Sequence, residues 1–195
     1  MLKLVDWSPE LDLNKFYKKA SEKGYENNAS QQMLVDCFSK EETSSVWILY
    51  NDSDPIGSVA AHSLDFIDNS YRICARTCIL TENSGIKHLR TIKKTIQQHQ
   101  NITAQIFIPV CISWAGNNKA LYITSNQSKV GSQRLVHNIY CPSLEKTGVL
   151  SRAFEKEYRG LKQTFWKLDV EEFTRQLNQY GKWDLSSSDQ HIAII

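Results

Sequence analysis

The sequence predicts an α/β chain of the α+β kind: a mixed, mostly antiparallel central sheet of about six or seven strands with helices on both faces. Three observations carry this. From Val46 to Leu80 the chain reads as three β-rich runs parted by two short polar turn clusters, the pattern of an antiparallel meander. Stretches with apolar residues at helical spacing lie before and after that meander. Nearer the end, two further β-rich runs flank Arg159-Gly160, a hairpin signal.

Leu2 to Val5 is a short strand. Ser8-Pro9-Glu10 predicts a helix start, with Ser8 as the cap and Pro9 in the first helical position. Leu11, Phe16, Tyr17 and Ala20 fall near one face of that helix, and Gly24 stops it. Gly24-Tyr25-Glu26-Asn27-Asn28 is a polar, turn-rich loop. A second helix follows Ser30 and carries Met33, Leu34, Cys37 and Phe38. The meander strands are Val46 to Tyr50, Ile56 to Leu64 and Tyr71 to Leu80, with turns at Asn51-Asp52-Ser53-Asp54-Pro55 and Asp68-Asn69-Ser70.

Gly85 to Gln98 has helical spacing, with Ile86, Leu89, Ile92 and Ile96 on an apolar stripe and Lys87, His88, Arg90, Lys93 and Lys94 opposite. In the apolar segment Gln105 to Ala115, Pro109 predicts a kinked helix or an irregular turn. Ala120 to Thr124 is a strand, and Gly131 to Glu145 is a helix closed by Gly148. Arg152 to Tyr158 and Leu161 to Leu168 form the hairpin.

With 195 residues and 41% hydrophobic content, one compact domain spanning 1–170 is expected. Residues 171–195 are expected to be a C-terminal helix or extension, packed on the domain or partly flexible. The net charge of +2 is too mild to argue by itself for nucleic acid or a membrane surface. No segment approaches the ~20 apolar residues of a membrane span, and the acidic start MLKLVDWSPELD is not a signal peptide. A soluble, cytoplasmic protein is the expectation. The five cysteines form no CxxC pair and read as reduced thiols packed as small hydrophobes.

The third strand of the meander runs into Gly85 and the basic helical segment. Such a turn gathers unpaired backbone N–H groups at a helix N-terminus, where they can cradle an anion. The order of elements, with three phrases, resembles the GNAT superfamily of N-acetyltransferases. ILYNDSDPIGSVAAHSL is similar to its second-to-third strand hairpin, and WAGNNKALYITSN to its central helix running into the fifth strand. VHNIYCPSLEKTGVL is similar to its late helix, with Asn138, Tyr140 and Gly148 in an N…Y…G pattern. The resemblance covers Leu2 to Asp169. YRICARTCIL and YRGLKQTFWKLD further resemble a GNAT-like group from marine phages.

The resemblance implies an N-acyltransferase moving an acyl group from acetyl-CoA or another acyl-CoA to a small-molecule or peptide amine. It implies Tyr140 as the general acid for the departing thiolate. It places the donor on Ile79, Thr81, Gly85, Ile86, Lys87, His88 and Asn126, with Ser125 beside Asn126 holding the donor, polarising water or capping a turn. It places the acceptor along the loop with Tyr25, Glu26 and Asn27. The family's pyrophosphate turn, Gln/Arg-x-x-Gly-x-Gly/Ala, is kept here at Gly85 alone, and Glu82 brings a carboxylate beside it. Lys87, His88 and Arg90 are either side-chain phosphate contacts in compensation or the solvated face of their helix.

Strict alternation along Tyr71 to Leu80 puts Arg72, Cys74, Arg76 and Cys78 on one face. Arg76 then reads either as a carboxylate or phosphate contact in the central cleft, or as an ion pair with Asp65 or Glu82. The ion pair is the expectation for Arg72. His62, on a face with Ala60 and Leu64, is either a general base or a satisfied structural histidine. Cys74 and Cys78 lack the spacing of a metal motif. Two functional readings stay open: an N-acyltransferase, or a GNAT-fold protein without acyl-CoA chemistry that binds a nucleotide-like or nucleic-acid ligand through the basic helix.

Overall fold

The β-rich runs of the meander pair with one another because each is joined to the next by only a few polar residues. The computed structural model describes residues 1–25, 27–40, 43–80, 101–127 and 136–180. In chain order the elements are β1 (Leu2–Asp6), α1 (Asn14–Glu22), α2 (Gln31–Lys40), β2 (Ser44–Asn51), β3 (Asp54–Ser63) and β4 (Ser70–Ile79). A π-helical turn, π1 (Thr103–Phe107), then runs into α3 (Ile108–Ala115), followed by β5 (Ala120–Ser125). A second π-helical turn, π2 (Val136–Tyr140), runs into α4 (Cys141–Lys146). The hairpin β6 (Leu150–Tyr158) and β7 (Leu161–Leu168) and the helix α5 (Val170–Tyr180) complete the described chain.

The strands form one seven-stranded sheet in the order β1-β2-β3-β4-β5-β7-β6. Every neighbouring pair is antiparallel except β4 with β5. Arg159 and Gly160 both take positive φ, 54° and 73°, so the expected two-residue turn closes the β6–β7 hairpin. On one face, Phe107, Ile108 and Cys111 of the π1–α3 helix, Cys141 of α4 and Phe173 and Leu177 of α5 pack on Leu4, Leu49, Ile73 and Leu121. On the other, Phe16, Ala20, Leu34 and Cys37 of α1 and α2 cover Val46, Ile48, Ala60 and Ala75. Beside them an aromatic cluster gathers Tyr122, Phe165, Phe66, Phe154 and Tyr158.

Three local expectations are corrected. The first helix starts at Asn14, not at Ser8. Trp7 N–H still bonds Val46 C=O at 2.8 Å, and Leu11 N–H bonds Ser8 C=O at 3.2 Å, so the Ser8-Pro9 signal makes a turn. Helix begins only where Leu13 and Phe16 can be buried together. Pro109 sits near the start of α3 without breaking the helix, because the wider π1 turn precedes it.

The third correction concerns β4, which does not alternate strictly. From Arg72 to Ala75 it advances three residues while β3 advances two, His62 to Ala60. From Ala75 to Cys78 it does so again, against Ala60 to Ser58. These are two β-bulges, and they place Cys74 and Arg76 at φ of 52° and 51°. Left-handed conformations of this kind cost about 1 kcal/mol or more each for non-glycine residues. The bulges also swap faces. Cys74 packs with the α3–α5 side, whereas Ala75 and Cys78 pack under α1 and α2. The face expected to carry Arg72, Cys74, Arg76 and Cys78 together therefore does not exist.

Candidate active site

The bulges bend β4, and the effect shows at β5. The two strands pair over three residues only, Ser70, Tyr71 and Arg72 with Ala120, Leu121 and Tyr122. Past that seam β4 continues beside β3, and β5 continues beside β7. A slit opens between Ile73–Ile79 and Ile123–Ser125, where neither strand has the other as a ladder partner.

Tyr140 ends π2, the turn that packs at the end of β5. Its hydroxyl oxygen is buried and has no hydrogen-bond partner among the described residues. Burial, and then the neighbouring phenol of Tyr25, push its pKa up to about 12, so the phenol is protonated at neutral pH. What holds π2 in place was not foreseen. His137 Nδ1 lies 2.9 Å from the Ser125 hydroxyl, and the Trp166 indole N–H donates to the same oxygen at 2.8 Å. Ser125 is fully buried, so it works as a junction between β5, β7 and π2. Its place at the end of an apolar strand was visible in the sequence; the partners, 12 and 41 residues away, were not. Asn126 follows it, half-buried, at the mouth of the slit.

The loop expected to line the acceptor site is docked on the bulged part of β4. Arg76 Nη1 donates to Asn27 C=O at 2.9 Å, and Asn28 Nδ2 donates to Thr77 C=O at 3.2 Å. Tyr25 C=O accepts from the N–H groups of Asn28 and Ala29 at 2.8 and 2.9 Å, which fixes the turn. Arg76 thus meets a backbone carbonyl and not the Asp65 carboxylate, while Glu82, the other partner of the ion-pair expectation, lies outside the described residues. Arg72 has no ion pair among the described residues either. Its guanidinium lies 5.6 Å from the centre of the Tyr158 ring, and its Nε is buried without a partner among those residues.

His62 is fully buried opposite Arg72, at the closed end of the slit. Its Nδ1 lies 2.8 Å from Ser63 C=O, which fixes Nδ1 as the protonated nitrogen, and its ring stacks on Tyr158. Burial, then Arg72, take its pKa from 6.5 down to about 4. That is far from the near-neutral value a general base was expected to have. Ile79 is a core side chain at the end of β4. Glu26, Thr81, Gly85, Ile86, Lys87 and His88, and with them the whole basic helix, lie outside the described residues. Cys74 lies with Cys111 and Cys141, and burial pushes Cys141 up to about 12. Among the described residues no three His, Cys, Asp or Glu side chains are grouped to hold a metal ion. Among the same residues no helix is long and apolar enough to cross a membrane.

No family model matches the chain, and no curated protein does. Solved structures do. Aminoglycoside acetyltransferase AAC(6')-Ib in complex with coenzyme A aligns over 90% of this chain and 98% of its own, at 10% identity and a TM-score of 0.51. The same enzyme with coenzyme A and kanamycin aligns over 90% and 98%, at 10% identity and 0.50. A structure assigned as a GNAT-family acetyltransferase from Desulfovibrio desulfuricans aligns over 87% and 99%, at 8% identity and 0.49. At such identities the likeness to the AAC(6')-Ib structures shows the fold alone: a seven-stranded, mostly antiparallel sheet with helices on both faces.

Proposed function

We propose that this chain is an N-acyltransferase that moves an acyl group from a thioester donor of the acyl-CoA class to an amine. The observation that carries the reading is the parting of β4 from β5, together with the buried, protonated Tyr140 hydroxyl, unpartnered among the described residues, on the π2 turn that His137 ties to Ser125 at the end of β5. Two strands parted in this way leave backbone N–H and C=O groups facing a gap, and buried groups of that kind need partners. The amide-bearing arm of a CoA thioester fits as an intervening strand. The coenzyme A in the AAC(6')-Ib complexes supports the same donor class.

When bound, the donor supplies an acyl group activated as a thioester. Tyr140 would give its phenolic proton to the sulfur as the carbon–sulfur bond breaks, then recover one from water. A phenol held near pKa 12 stays protonated until that moment, which suits an acid and not a base. The amine, arriving neutral, would lose its proton to water, since His62 is too weak a base and sits at the closed end. The loop around Tyr25 and Asn27, docked on β4 through Arg76 and Thr77, would orient the amine.

The test pairs binding with turnover. Calorimetry with acetyl-CoA should give a saturable isotherm in the wild type and in Tyr140→Phe, with dissociation constants within about twofold. Release of the CoA thiol against a panel of amines should fall about 100-fold or more in the variant, the usual contribution of a placed general acid. Absence of acetyl-CoA binding at millimolar concentration would overturn the proposal. So would wild-type turnover by Tyr140→Phe.

A further inference from the structure

Arg72 presents a problem that the reaction above does not solve. A guanidinium taken partly out of water needs an anion or a full set of acceptors. Arg72 has neither an anion nor a full set among the described residues: its Nε is buried without a partner, and what lies against its charge is Tyr158, a ring and one neutral hydroxyl acceptor. Cross-strand from it stands His62, neutral and lending no negative charge. Asp65 acts on the Tyr158 phenol but lies beyond ion-pair distance of Arg72.

A second guanidinium belongs to the same patch. Arg72 stands cross-strand from His62, on the face of Ala60 that α1 and α2 cover, and Arg76 reaches the same side to meet the loop between those helices. Arg76 commits one nitrogen to Asn27 C=O, which leaves most of its five donors for another acceptor. The bulges give Arg76 this direction, by setting its backbone at φ 51°. Arg159, at the tip of the β6–β7 hairpin, also lies over the Tyr158 ring, at 5.3 Å, and adds to the positive field. The patch is thus cationic, set against the Tyr158 ring, and next to the loop that carries Tyr25 and Asn27.

We infer that the acceptor is an amine that also carries a compact oxyanion, a carboxylate or a phosphate, held by Arg72 and Arg76 on the α1–α2 side of the sheet. The inference rests on the acyltransferase reading for its amine, but not for its anion site. The planar guanidinium fork matches either oxyanion in a bidentate way. Such an acceptor would complete the hydrogen bonding of Arg72 and bring its amine to the slit beyond the Asn27 turn. Polyamines and simple amines, which carry no oxyanion, would be poor acceptors.

The experiment has two independent arms, both on the full chain. In the first, thermal unfolding is followed with sodium acetate or inorganic phosphate against sodium chloride at equal ionic strength. At least one oxyanion should raise the melting temperature of the wild type, and the better of the two names the group. Arg72→Met and Arg76→Met should lose the increment. Because Arg76→Met also removes the bond to Asn27, Arg76→Lys keeps a donor there while removing the fork, and should lose most of the increment too. In the second arm, thiol release from acetyl-CoA is measured for α-amino acids and aminoalkyl phosphonates against the matching amides. The wild type should favour the acids by about tenfold to hundredfold in kcat/KM, as expected for one charge-assisted contact. Arg72→Met should erase that ratio.

No oxyanion effect on melting, or equal turnover of acids and amides, overturns the inference while leaving the acyltransferase reading intact. An oxyanion effect lost in the variants, without any acetyl-CoA binding, upholds the anion site and overturns the acyltransferase reading instead.

Discussion

Acid should weaken this fold through His62. The ring is fully buried, and its pKa drops from 6.5 to about 4, through burial first and Arg72 second. Between those values the unfolded chain binds a proton that the folded chain does not. Lowering the pH through that window therefore favours unfolding, and the loss is complete once the pH is below the folded value. The gap is about 2.5 pH units, from 6.5 to about 4. At about 1.4 kcal/mol per unit, His62 removes about 3 kcal/mol of stability between pH 7 and pH 4, a large part of the ~5–15 kcal/mol total of an ordinary domain.

Glutamine at this position can still donate towards Ser63 C=O but does not titrate, so His62→Gln isolates the effect. Urea unfolding would be followed by the fluorescence of the five tryptophans at pH 7.0, 6.0, 5.0 and 4.5. At pH 7 the variant should be the less stable protein, because the stacking on Tyr158 is lost. The difference should then shrink with acid and reverse, since all other titrating groups are common to both. Arg72→Met should raise the His62 pKa only part of the way, because burial is the larger cause. A stability difference that stays constant from pH 7 to 4.5 would refute the reasoning, as would a His62 ring that titrates near 6.5 by NMR.

Two further outcomes follow from packing. At Gly57 an added Cβ would meet Cys78 C=O at 2.9 Å and Phe107 Cζ at 3.2 Å, so Gly57→Ala should lower stability by about 1–3 kcal/mol; an unchanged melting temperature would show that β3 and π1 are looser than described. Ser125→Ala leaves the Trp166 N–H and His137 Nδ1 without their shared partner, which should cost about 1–3 kcal/mol and lower acyl transfer along with it; unchanged stability and kcat would mean that Ser125 does not position π2.

The meander was legible because alternation and turn chemistry act over a few residues and need no distant partner. Val46 to Tyr50, Ile56 to Leu64 and Tyr71 to Leu80 fall on β2, β3 and β4 within about two residues at either end. The Ser8-Pro9 start misled because burial of Leu13 outweighs a local capping signal. The faces of β4 were not legible at all. Its bulges put a cysteine and an arginine at positive φ, where a glycine or asparagine would have been the signal. Arg76 was expected to meet a carboxylate or an anion, and the Asn27 carbonyl it bonds, 49 residues away, has no mark in the sequence. Tyr140 was found through resemblance, not pattern. His137, which ties Tyr140's turn to β5, escaped notice although it stands three residues earlier.

The short seam between β4 and β5 also bears on how the chain assembles. β1 to β4 pair mostly as consecutive hairpins, and β6 pairs with β7 across two residues, so both portions of the sheet gain contacts from near neighbours. Joining them requires closing the chain from Asn69 to Lys119, which are linked by a 2.9 Å hydrogen bond across 50 residues. The reward in new ladder is three residue pairs and the Ala120 N–H bond to Asn69 C=O. A long closure with so little local return comes late, after each portion has its own pairing. The gap that the proposed reaction assigns to its donor is thus also the joint where two separately nucleated pieces of sheet meet last.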